Sequence, residues 1–212
     1  MDILSGLITL TILIFSAILH EIAHGYVAEH FGDPTARLAG RLTLNPRNHI
    51  DPLMSILLPL MLILSGSPVI FGAAKPVPID PFNLKEGRKD IALVALSGPL
   101  TNIVIAILAS FLIRFLPFLS TIFSSSVFYF LLSNIVQLNL LLAIFNLLPI
   151  PPLDGSKVFS LLLSEKYALI YLSLSSIGFF IIFFLLLFPV GGFSLGGLIF
   201  NLLSFSLKLL GI

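Results

Sequence analysis

Ile18-Leu19-His20-Glu21-Ile22-Ala23-His24-Gly25-Tyr26 sets two histidines four residues apart, with a glutamate directly after the first. On an α-helix that spacing puts both imidazoles on one face, one turn apart, where they can share a metal ion. Glu21 lies about 100° further round, close enough to serve an open position on that metal. This is the HExxH pattern, in which two histidines hold zinc and the glutamate acts as general base. The triplet lies inside an apolar run that begins at Ile3. A helix over Ile3 to about Glu29 is long enough to cross a bilayer, where ionisable side chains are costly and usually functional.

Composition points the same way. Apolar residues make up 58% of the 212 and charged residues only 10%, with a mean hydropathy of +1.13. The chain therefore reads as an all-α polytopic membrane protein in one domain, residues 1–212. The first apolar segment is expected to be a true span and not a signal peptide, because it continues through charged residues and lacks a small-residue cleavage pattern. With no cysteine, disulfides, thiolate ligands and cysteine nucleophiles are excluded. Neither a basic cluster for nucleic acid nor a glycine-rich phosphate loop is present.

Further spans are expected at about 91–116, 127–148 and 167–188, with a last apolar helix ending near Lys208, giving about five spanning helices. Residues 53–64 are apolar but short, with Pro59 inside, and read as a re-entrant segment. The alternation Arg41-Leu42-Thr43-Leu44-Asn45 hints at a short strand. Gly72-Ala73-Ala74-Lys75-Pro76-Val77-Pro78-Ile79 must be extended, as an edge strand or a rigid loop, because alternate prolines cannot donate to a ladder. Ser97-Gly98-Pro99-Leu100-Thr101-Asn102 permits close helix packing and interhelical hydrogen bonding by Asn102. Asn139 and Asn146, seven apart, form a polar seam turned inward.

Asn146-Leu-Leu-Pro-Ile-Pro-Pro-Leu-Asp154-Gly155 must unwind a helix within the membrane, which is tolerated where the backbone lines a cavity or is covered by protein. It delivers a carboxylate to apolar surroundings. Catalytic zinc takes three protein ligands and keeps one position open, so Asp154 is the expected third ligand with His20 and His24. A helix N-cap is the competing role for Asp154.

HEIAH in the first span, SGPLTN in the second and NLLPIPPLDG after the third together resemble the site-2 protease family of intramembrane zinc metalloproteases. The resemblance covers most of residues 14–163, with a catalytic core at about 3–30 and 91–163. It implies one Zn2+ held by His20, His24 and Asp154, Glu21 as the catalytic base, and Asn146 at a position that contacts substrate or oxyanion. It further implies hydrolysis of peptide bonds within or near a transmembrane helix of a membrane-protein substrate. The insert at about 49–80 is similar to that of the compact subgroup, and no stretch is long enough for a PDZ or CBS domain. A metal- or proton-coupled transporter and an inactive membrane-protein-binding scaffold are the rival functions.

Topology follows from parity and charge. His20 and His24 share a membrane face with Asp154 only if an even number of crossings separates them, so 53–64 should enter and return. All Lys and Arg except Arg114 then fall on one side. The positive-inside rule makes that side cytoplasmic, with the N-terminus outside a cell membrane and the active site opening to the cytoplasm.

Overall fold

The computed structural model describes residues 3–65, 72, 74–119 and 125–212. Residues 66–71 and 73 of the insert, and 120–124 of the connection between the second and third expected spans, lie outside the described residues. Helix α1 (Ile3–His30) carries the HExxH triplet two-thirds of the way along. It stops where Gly32 takes φ +112, a left-handed value that suits glycine, and Pro34 follows. The short α2 (Thr35–Leu38) leads into an irregular segment. Helix α3 (Leu58–Leu64) continues a π-helical turn at Pro52–Leu57. The two long helices α4 (Arg88–Leu119) and α5 (Ser125–Asn146) pack on α1, and α6 (Asp154–Phe159) follows the proline-rich break.

Among the described residues three helices, α1, α4 and α5, are long and apolar enough to cross a membrane. The expected fourth span is instead two helices, α7 (Glu165–Ser173) and α8 (Ser175–Leu187), meeting at 66°. Both halves are fastened to one short turn. Tyr171 Oη donates to the Pro149 carbonyl at 2.8 Å, and Gly178 lies so close to Pro151 that a Cβ there would sit 1.8 Å from its carbonyl oxygen. A straight helix would separate Tyr171 and Gly178 by roughly 10 Å, so the bend lets both reach the turn. Helix α9 (Leu195–Leu210) starts against the same turn, since Leu195 and Ile199 cluster with Leu148, Leu153 and Ile182.

The far end of α9 corrects the charge map drawn from sequence. Leu203, Leu207 and Leu210 pack beside Ala106, Ala109 and Val136 of α4 and α5, and Arg114 Nη2 donates to the Leu210 carbonyl at 2.9 Å. Lys208 therefore shares an end of the molecule with Arg114 and does not join the other basic residues. The sequence-based count missed this because it took 167–188 as one straight crossing.

No strand forms among the described residues. Residues 42–44 are bends, and the expected strand at 41–45 has no partner among the described residues. Asn45 instead accepts the Arg47 N–H to start a 3-10 turn, and the Thr43 carbonyl bonds to His49 Nε2 at 2.8 Å. Residues 74–80 form neither helix nor strand and join no ladder. Asp33, fully buried, anchors the return of the insert. It accepts the Asp80 N–H at 2.7 Å and Asn83 Nδ2 at 3.0 Å. Burial opposes its ionisation, but these bonds and those from Thr35 outweigh it and hold its carboxyl below the usual range.

Candidate metal centre

His20 and His24 leave α1 on the face covered by α4, with their rings edge to face and centroids 4.6 Å apart. Asp154 is delivered to them by the break after α5. His20 Nε2, His24 Nε2 and Asp154 Oδ2 form a triangle whose three edges are each 3.1 Å. All three side chains are buried.

Proton placement shows what this triangle requires. His20 Nδ1 lies 2.6 Å from Asn102 Oδ1. That oxygen is assigned because Asn102 Nδ2 donates to Asn139 Oδ1 at 2.8 Å. His24 Nδ1 lies 2.7 Å from the carbonyl oxygen of Val94. Both Nδ1 atoms therefore carry the proton, and both Nε2 atoms present lone pairs. Two imidazole lone pairs and a carboxylate oxygen converge with no hydrogen between them, an arrangement that repels itself unless a cation sits among them. An ideal tetrahedral site with bonds of about 2.0–2.1 Å has ligand edges of roughly 3.3–3.4 Å, close to those observed. The donor set and its outer hydrogen bonds fit a divalent metal of the zinc type.

The break explains how Asp154 arrives. Gly155 lies against the last turn of α5, where a Cβ would fall 2.1 Å from the Leu147 carbonyl oxygen, so only glycine lets α6 fold back this tightly. The N-cap position of α6 is Leu153, which makes no side-chain capping bond. Both Asp154 oxygens are instead committed, Oδ2 to the histidines and Oδ1 to Lys157 Nζ at 2.9 Å. A capping role is thereby set aside.

Several contributors were not singled out for the site from sequence. A Cβ on Gly98 would lie 2.6 Å from both Nε2 atoms, so the SGP sequence admits α4 directly onto the histidines. Asn102 was expected to hydrogen-bond between helices, and the partner it orients is His20. Asn139 of the inward polar seam supports Asn102 and donates to Ser16 Oγ at 2.9 Å, completing a buried chain from α1 through α4 to α5. The spacing of Lys157, three residues after Asp154, was the available signal for that ion pair.

Glu21 and Asn146 are placed differently. Glu21, half-buried one residue from His20, accepts the Val77 N–H at Oε2, 2.8 Å away. The extended segment is held there by further bonds: Arg41 Nη2 donates to the Lys75 and Pro76 carbonyls at 2.7 and 3.2 Å, and the Lys75 N–H donates to the His49 carbonyl at 2.7 Å. Asn146 ends α5 with Nδ2 on the Leu142 carbonyl of its own helix at 3.0 Å, and its hydrogen bond does not reach the triangle.

A model described as peptidase family M50 matches residues 118–189. YwhC of Bacillus subtilis, provisionally named a zinc metalloprotease, is 37% identical over 187 residues, covering 86% of this chain and 81% of its own. Rip2 of Mycobacterium tuberculosis, also provisionally named so, is 34% identical over 142 residues, 66% of this chain and 51% of its own. Zinc metalloprotease MJ0392 of Methanocaldococcus jannaschii is 31% identical over 160 residues, 74% of this chain and 35% of its own. The chain thus spans about half of Rip2 and about a third of MJ0392. No solved structure matches. With HEIAH and PPLDG meeting in one buried triangle on apolar helices, and with YwhC alike over most of both chains, this membrane-embedded chain belongs to the M50 peptidases, the site-2 protease family.

Proposed function

We propose that the chain is a zinc-dependent endopeptidase that hydrolyses peptide bonds within or beside the transmembrane helices of membrane-protein substrates. The observation that carries this reading is the convergence of three lone pairs at 3.1 Å, with Glu21 adjacent in sequence. His20, His24 and Asp154 would hold the ion. Zinc bound there supplies Lewis acidity toward the scissile carbonyl and acidifies the attacking water toward a pKa near ~7. Glu21 accepts the water's proton and passes it to the leaving amine. Asn102, Val94 and Asn139 keep both Nδ1 protons outward, so Nε2 stays unprotonated without local rearrangement. Asn146 Oδ1 accepts no hydrogen bond from the described residues and is the group we assign to a substrate peptide N–H or, after a side-chain turn, to the oxyanion through Nδ2.

The substrate helix must unwind to expose a peptide bond, and residues 75–79 offer it an extended edge. The Lys75 and Val77 amides and the Lys75 and Pro76 carbonyls are already bonded within the chain. A substrate strand therefore pairs with the remaining groups toward Ile79. The insert enters and returns on this reading. Ile50 and Ser55 near its start, and Gly72 and Ala74 beyond the apolar segment 53–64, line one small cavity against Ile14 and Ile18, while Ile63 packs at Gly6 near the other end of α1. Nine basic residues lie toward the end of α1 and start of α4, against Arg114 and Lys208 at the opposite end. The positive-inside rule still makes the site's face cytoplasmic and puts the N-terminus outside the cell membrane.

Glu21→Gln is the decisive substitution. It should retain one zinc per chain and lose essentially all cleavage of a single-span substrate, a drop of at least about 10²- to 10⁴-fold. A transporter would instead lose flux, and a scaffold would show no cleavage in wild type. Wild-type cleavage by Glu21→Gln would refute the assignment of the base.

A further inference from the structure

We infer that Val77 is a positioning residue for the catalytic base, acting through its backbone N–H. This rests on the assignment of Glu21 as that base. In Pro76-Val77-Pro78 the flanking prolines have no N–H, so Val77 supplies the sole backbone donor of the triplet. That donor meets Glu21 Oε2 at 2.8 Å, which leaves Oε1 as the oxygen free for proton transfer.

The segment is built to deliver this one group. Proline after Val77 holds the valine extended, and Val77 itself is buried. Its side chain lies over Gly25, the residue after His24, where a Cβ would come within 3.1 Å of Val77 Cγ1 and 2.5 Å of Leu42 Cδ2. Glycine at 25 thus admits the strap onto α1 directly beside the histidines. Arg41, itself buried, has no carboxylate partner among the described residues and spends its Nη2 on the carbonyls of Lys75 and Pro76. Its charge grips the peptide groups immediately before the Val77 amide. A carboxylate on a long, rotatable side chain would otherwise sample several rotamers, and misplacement by about 1 Å is worth on the order of 10²-fold in rate.

The role is distinct from substrate clamping. In the arrangement observed, the Val77 N–H points at Glu21 and is not offered to a substrate strand. Removing it should therefore lower kcat with little effect on KM.

Hydrogen exchange on the full chain in detergent tests the contact without any substrate. Because Pro76 and Pro78 carry no amide hydrogen, peptides across this stretch report Val77 with little overlap. Glu21→Ala should speed exchange at Val77 by at least tenfold, whereas Glu21→Gln, which keeps a carbonyl acceptor, should leave it within about threefold of wild type. Equal exchange in wild type and Glu21→Ala would overturn the inference. In turnover of a single-span reporter that the wild type cleaves, Val77→Pro should lower kcat by about 10- to 100-fold with KM within twofold and zinc unchanged. Val77→Ala, which keeps the N–H, should return kcat to within about threefold. A Val77→Pro effect confined to KM would reassign the strap to substrate binding. The exchange arm does not require the proline variant to fold, and cleavage by Glu21→Gln would refute the base assignment separately.

Discussion

The two halves of the site are held by opposite means. The ligand half is side chain on helix: His20 and His24 on α1, oriented by Asn102 and a Val94 carbonyl on α4, with Asn139 on α5 behind them. The half that carries the proposed base is irregular backbone held by side chains: Glu21 and Arg41 grasp the peptide groups of 75–77, and Asp33 grasps Asp80. Helices fix side-chain geometry by packing, so the first half tolerates little displacement. Extended backbone flanked by prolines has no ladder to hold it, so the second half depends on individual polar grips. Disturbing the first half should remove metal, and disturbing the second should leave metal bound while altering turnover or local opening.

Gly98→Ala strikes the first half hardest. The added Cβ would lie 2.6 Å from both Nε2 atoms, well inside van der Waals contact, so zinc content and cleavage should both fall to background. A fully loaded Gly98→Ala protein would show that α4 yields more than the close packing implies. Asn102→Leu comes next. It keeps the volume but leaves the buried His20 Nδ1–H without an acceptor, and zinc affinity should drop by about 10- to 100-fold in a chelator competition. Lys157→Met should cost less, roughly two- to fivefold in the same competition, because Lys157 is 38% exposed and its ion pair with Asp154 is partly screened.

The smallest effect belongs to the second half and depends on pH. Burial, opposed by the hydrogen bond to the Thr43 carbonyl and reinforced by the charge of Arg41, holds the His49 imidazole below its ordinary value of 6.5, with Glu21 acting weakly the other way. The unfolded segment therefore binds a proton that the folded one resists. The stability contributed by neutral His49 is full above about pH 6.5 and declines as pH falls below it. Proteolytic nicking of the insert should rise between pH 7.5 and 5.5, and His49→Gln should flatten that rise. Equal pH dependence in both proteins would remove His49 as its source.

The same contrast explains how much was legible in the sequence. The meeting of His20, His24 and Asp154 was readable because helical periodicity and a proline-rich break place side chains by local rules. The bend between α7 and α8 was not, because it arises from Gly178 meeting Pro151 and Tyr171 meeting Pro149, contacts between residues remote in sequence. Lys208 was misplaced for that reason. Asn102 was visible as a polar residue in a span, but its partner could be found only once α1 and α4 were side by side. The grip of Glu21 on Val77 joins residues 56 apart through a backbone amide, which carries no residue-specific signal.

Zinc stoichiometry of Asp154→Ala tests the central claim most directly, because it asks whether the carboxylate after the third long helix and the histidines of the first share one ion. Measured on purified protein beside wild type and Glu21→Gln, the account predicts about one zinc per chain in those two and near none in Asp154→Ala, since two histidines alone make a poor site. Full zinc in Asp154→Ala with undiminished cleavage would contradict it.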